Sequence, residues 1–209
     1  MFTCTAVALS DVVLLAGAMM LPRVIAIELI GRELLPAVTS RRLAEQVRAI
    51  WQTHGVRVQG LEEPASSPIT LYVELSDSSR PPEAVQRLEL GVFRRADNHI
   101  TVSLPAALRI AVAGVPTPES LARADLRRDF ALGTVLGRTI AHEIGHFLLG
   151  PTHSNSGLMR ASFRAVEIAD PRDGAFDLTR VDLARLLAVS QSSPSSPTTV
   201  DQRVADGAP

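Results

Sequence analysis

Ala141-His142-Glu143-Ile144-Gly145-His146-Phe147-Leu148-Leu149-Gly150-Pro151-Thr152-His153 holds three of the chain's five histidines. In a helix, residues four apart stand on one face, so His142 and His146 point the same way. Two neutral imidazoles at that spacing reach one tetrahedral Zn²⁺ at roughly 2.0–2.1 Å each. Glu143 projects at about 100° from the first of them. That offset places a carboxylate beside the ion, where it can take a proton from a metal-activated water. Gly150 tolerates the left-handed turn that closes a helix, and Pro151 cannot continue one. His153 is then the first ligand-capable side chain after the turn. Three histidines with an open fourth position make a catalytic type of zinc site rather than a closed structural one.

Two histidines and a glutamate on a helix can also be ordinary surface or core residues. Here the flanks Val135, Leu136, Ile140, Ile144, Phe147 and Leu148 are apolar. A buried helix must supply partners for its polar groups, and a metal ion supplies them.

His142-Glu143-x-x-His146, the glycine turn, His153 and then Met159 resemble the metzincin group of zinc metallopeptidases. The stretch His153-Ser154-Asn155-Ser156-Gly157-Leu158-Met159-Arg160-Ala161 is similar to small bacterial proteins related to that group. The resemblance spans about residues 138–161. It implies a zincin-like domain in which His142, His146 and His153 bind Zn²⁺, Glu143 is the general base and Met159 forms a methionine turn beneath the metal. It also implies an edge strand that pairs with substrate backbone, here the strand at Ile100–Leu104 or its partner at Val92. One residue more than the usual pattern separates His146 from Gly150. Acidic third ligands (Glu167, Asp170 or Asp173) therefore stay open beside His153.

Composition sets the outer bounds. With 209 residues, the chain is long enough for one compact domain plus ends. A net charge of −1 gives no electrostatic case for nucleic acid or an anionic membrane surface. Every basic residue is arginine, and alanine is abundant, which suggests a GC-rich bacterial source. Cys4 is the lone cysteine, so no intrachain disulfide forms and no cysteine ligates a core metal.

Residues 1–21 form an apolar N-terminal segment. Val12 to Pro22 is too short to span a bilayer. Ala16-Gly17-Ala18 has the form of a signal-peptide cleavage site, yet no positive charge precedes the apolar run and Asp11 interrupts it. A start codon set upstream of Met19 and Met20 reads equally, so cytoplasm weighs slightly over export.

Residues 22–189 read as the catalytic domain. Strands are expected at Val24–Ile30, Val56–Val58, Ile69–Leu75, Gly91–Phe93 and Ile100–Leu104, from β-branched and alternating runs. A helix is expected over about 40–53, capped by Thr39 or Ser40. A short helix opens at Pro105, an amphipathic one covers Ser120–Arg128, and a long apolar one covers Phe130–Leu149. Gly133 and Gly137 on the long helix suit close packing against the sheet. Arg138 could be a surface charge or hold a carboxylate. His99 reads as an exposed turn residue. A last helix over Leu178–Ala188 is capped by Asp177 or Thr179, and residues 190–209 are too poor in large apolar groups to order themselves.

The expected fold is α+β (mixed α/β), with a twisted mixed sheet of about four or five strands on the long helix, and a C-terminal helix behind it. The expected function is a zinc-dependent metallopeptidase acting on a peptide or protein, with metal-activated water and Glu143 as general base. A non-peptidase zinc-binding or regulatory module is the alternative, and an interaction protein with no metal is a third reading. Oligomeric state is not legible.

Overall fold

The computed structural model describes residues 23–62, 67–77, 90–114, 121–170 and 175–191. The apolar N-terminal segment, Cys4, Asp173 and residues 192–209 of the expected tail lie outside these.

Five strands form one sheet: β1 (Arg23–Ile30), β2 (Val56–Gln59), β3 (Thr70–Ser76), β4 (Gly91–Arg94) and β5 (His99–Ser103), in the order β2-β1-β3-β5-β4. β2, β1, β3 and β5 run parallel, and β4 is antiparallel to β5. Among the described residues there are five α-helices: α1 (Ala37–Gln52), α2 (Leu104–Gly114), α3 (Leu121–Leu149), α4 (Ala165–Ala169) and α5 (Arg180–Gln191). The expected mixed sheet with a long helix and a C-terminal helix is what forms.

Period-two alternation sets the faces. Ile25, Ile27, Leu71, Val73, Leu75, Ile100 and Val102 are buried in one cluster with Leu43, Val47 and Trp51 of α1 and Val135, Leu136, Ile140 and Ile144 of α3. On the other face Glu28, Tyr72 and Val92 remain exposed. β5 lies between β3 and β4, so it has no free edge; β4 and β2 are the sheet's two terminal strands among the described residues. Of the two strands expected to offer an edge, only the one at Val92 does.

Several local expectations change. α1 begins at Ala37, three residues before the expected start, and Thr39 and Ser40 are buried inside it rather than capping it. Thr39 instead donates to the Asp129 carbonyl at 3.1 Å, tying α1 to α3. The two helical stretches expected before Leu149 are one continuous helix, α3. Gly133 and Gly137 pack on α1, not on the sheet. A Cβ on Gly133 would stand 2.6 Å from the Thr39 carbonyl oxygen, and one on Gly137 2.8 Å from that of Leu43. Trp51 completes the contact by donating its indole N–H to the Ala141 carbonyl at 3.2 Å. His99 is the first residue of β5, its side chain 17% exposed and 3.1 Å from Glu74, rather than an exposed turn histidine.

Arg138 is buried and holds backbone. Its Nη1 lies 2.9, 3.1 and 2.7 Å from the carbonyls of Glu167, Ile168 and Asp170, and its guanidinium covers the Phe176 ring at 4.0 Å. A cation on the C-terminal carbonyls of α4 satisfies groups that five helical residues cannot. α5 continues to Gln191, past the expected boundary at residue 189. Its cap is Thr179, whose hydroxyl accepts from the Asp182 N–H at 3.2 Å while Asp182 accepts from the Thr179 N–H at 3.2 Å, a reciprocal capping box.

Candidate metal centre

α3 places His142 and His146 one turn apart near its C-terminus. The helix ends as the sequence suggests: Gly150 takes φ 88°, and its N–H bonds back to the His146 carbonyl at 3.1 Å. The chain then reverses and brings His153 over the other two rings. His153 stacks on His142 with centroids 5.4 Å apart and meets His146 edge-on at 4.7 Å. One ligand atom from each of the three lies within 4.8 Å of the others.

Hydrogen bonds fix the tautomers of the helical pair. His142 Nδ1 is 2.7 Å from the Leu158 carbonyl oxygen, and His146 Nδ1 is 3.1 Å from that of Gly150. A carbonyl only accepts, so both Nδ1 atoms carry the proton and both Nε2 atoms present lone pairs. Those two Nε2 atoms face each other at 3.0 Å. Two acceptors that close repel unless a cation lies with them. A proton is a poor candidate: burial foremost, with the neighbouring histidines adding to it, lowers the His142 pKa to about 4 despite the Leu158 bond. Burial likewise lowers that of His146, and Arg185 contributes in the same direction. Two nitrogens on one tetrahedral ion stand roughly 3.3–3.4 Å apart, close to the separation here. The donor set, three imidazoles with two tautomers preset, fits a metal ion.

Glu143 is buried, at 5% exposure, beside the histidines. It packs against the first residue of β4, where a Cβ on Gly91 would come within 3.1 Å of its Oε1. The edge strand and the carboxylate therefore lie close together, with no room for a side chain between them. Arg95, in the turn after β4, donates to the His146 carbonyl at 3.1 Å, and Phe93 meets Phe147 edge-on at 5.9 Å. These contacts pin the β4–β5 hairpin to the end of α3.

Met159 is fully buried. A Cβ on Gly145 would fall 2.2 Å from its sulfur, so the methionine lies against the helix between the two ligand-type histidines. Sequence reasoning overlooked Gly145. The signal was there, since a glycine inside a helix costs about 1 kcal/mol relative to alanine and so calls for a packing reason.

Of the acidic candidates, the two that are described, Glu167 and Asp170, are placed elsewhere. Glu167 bonds Arg160 at 2.6 Å, Arg164 Nε at 3.1 Å and the Arg164 N–H at 2.9 Å. Those bonds, the backbone one foremost, hold its carboxyl below the ordinary range. Asp170 follows α4 and is outside the histidine cluster. Among the described residues the three histidines are the one group with metal-ligand geometry.

Phe163 stands edge-on to His142 at 6.0 Å and stacks on Phe176 at 4.8 Å, forming an aromatic wall beside the site.

Comparisons with protein-family models, curated proteins and solved structures find no match.

Proposed function

We propose that this chain is a zinc-dependent metallopeptidase on a zincin-like domain. The observation that carries the reading is the facing pair of Nε2 lone pairs at 3.0 Å, each preset by an Nδ1–H bond to a carbonyl. His142, His146 and His153 would hold the ion, leaving a position open. Zn²⁺ bound there supplies a Lewis acid that acidifies water to near neutral pH and polarises a carbonyl.

The remaining work falls to the chain's own groups. Glu143 accepts a proton from the attacking water and delivers it to the leaving amine. Its burial sharpens that role, because a carboxylate away from bulk solvent interacts more strongly with a reacting proton. Among the described residues β4 offers a free strand edge whose first residue lies close to Glu143, so an extended peptide added to that edge would run past the carboxylate. Phe163, edge-on to His142, would help to exclude water there. Met159 and Gly145 support the helix from beneath. A purely regulatory metal site would have no use for a carboxylate at Glu143, and the peptidase reading accounts for it.

Glu143→Gln tests the assignment. The variant should bind zinc as the wild type does and lose about 10²–10⁴-fold in peptide turnover. Undiminished turnover by zinc-loaded Glu143→Gln would exclude the general-base role.

A further inference from the structure

Among the described residues His153 differs from the other two histidines in how it is held. His142 and His146 are partly buried on a helix and anchored through Nδ1. His153 is exposed, on a loop, and its ring neighbours are the other two imidazoles. Its position must come from the backbone on either side of it.

α5 supplies both holds. Downstream, Ser154 donates its hydroxyl to Asp182 Oδ1 at 2.6 Å, and its N–H donates to the Met159 carbonyl at 2.8 Å. Asp182 is 0% exposed. Its other oxygen accepts from the Thr179 hydroxyl at 2.7 Å. Burial works against its charge, but the bonds from Ser154 and Thr179 and the Arg185 cation outweigh that and keep its pKa low. Upstream, Arg185 donates to the Leu149 carbonyl at 2.6 Å and the Thr152 carbonyl at 3.4 Å, and pairs with Asp182 at 3.5 Å. One turn of α5 therefore grips residues 149, 152 and 154 around His153. A capping box alone would need neither the Ser154 bond nor the arginine.

We propose that Asp182 and Arg185, acting through Ser154 and the Leu149 and Thr152 carbonyls, are positioning residues that pre-set His153 as the third metal ligand. The inference rests on the metal-centre reading above. Outer partners that orient a ligand commonly account for about 10–100-fold in metal affinity.

The test is Zn²⁺ affinity by chelator competition on the full chain, with the visible spectrum of the Co²⁺ form as a second readout. Wild type, Ser154→Ala, Ser154→Thr, Arg185→Gln, Asp182→Asn, His153→Ala and Ser154→Ala/His153→Ala are compared, with apo melting measured for each. Ser154 is half-buried and its hydroxyl can be removed without a large cavity, so it keeps the test alive if Asp182→Asn fails to fold. The expected result is about a tenfold weaker zinc affinity in Ser154→Ala and Arg185→Gln, an altered Co²⁺ spectrum, and recovery in Ser154→Thr. The Ser154→Ala loss should vanish in the His153→Ala background, since positioning a ligand that is gone has no effect. Wild-type affinity in the single variants, or the same loss without His153, overturns the inference. Wild type that binds no zinc overturns the metal reading beneath it, a failure visible in a separate arm.

Discussion

The two halves of the second part of α3 are built on opposite principles. From Ala131 to Ile140 the helix is held by close packing: Gly133 and Gly137 let α1 approach until backbone touches backbone, and Val135, Leu136 and Ile140 fill the core. From Ala141 to Leu149 it is held by directed polar bonds. Trp51 takes the Ala141 carbonyl, Leu158 and Gly150 take the two imidazoles, and Arg95 and Arg185 take the last carbonyls. Arg138 stands at the junction and reaches from the packed half to the carbonyls of α4. The packed half tolerates little change of volume and is indifferent to pH or metal. The polar half should respond to both.

The largest break in that contrast is Gly133→Val with Gly137→Val. Each side chain would enter space filled by α1 backbone and side chains within 3 Å of the first added carbon. Overpacking costs about 1–3 kcal/mol per site, so the double variant should lose about 2–6 kcal/mol, a large share of an ordinary domain's stability. Urea unfolding with and without Zn²⁺ checks it: the loss should be about the same in both, because the substituted glycines face α1 and leave the histidine cluster untouched. Next in size is Arg138→Met, which keeps much of the packing but strips three carbonyls of their donor. A loss of about 2–3 kcal/mol in urea unfolding is expected, with α4 exchanging amide hydrogens faster than α1.

Acid sharpens the comparison by acting on the polar half. Burial lowers the His142 pKa from 6.5 to about 4, and that of His146 moves the same way. Below pH 6.5 the unfolded chain therefore takes up protons that the folded chain resists. Stability contributed by these groups is complete above that pH and is lost as pH falls toward about 4. Each histidine contributes at most about 1.4 kcal/mol per pH unit. Apo protein should melt progressively lower from pH 6.5 to 4.5, and a His142→Gln variant should show a shallower dependence.

Much of this was legible in the residues. β-branched runs located the strands, and the histidine spacing located the cluster, because both signals are local. What was missed depends on distant partners. α4 has only five residues and is completed by Arg138, some thirty positions earlier in the chain. Glu167 is paired with Arg160 and Arg164, which the spacing of acids along the chain does not reveal. Gly133 and Gly137 announced a close approach, but only the fold shows that α1 makes it. The break expected near Arg128 was a change of face pattern, with no glycine or proline to stop the helix there.

The most direct test is the zinc content of purified full-length protein, wild type beside His142→Ala/His146→Ala, after reconstitution and removal of loosely bound metal. The account predicts about one zinc per folded wild-type chain and none in the double variant, with a raised melting temperature only in the former. A wild-type chain that stays metal-free and melts unchanged with zinc, or a double variant that keeps its zinc, would contradict it.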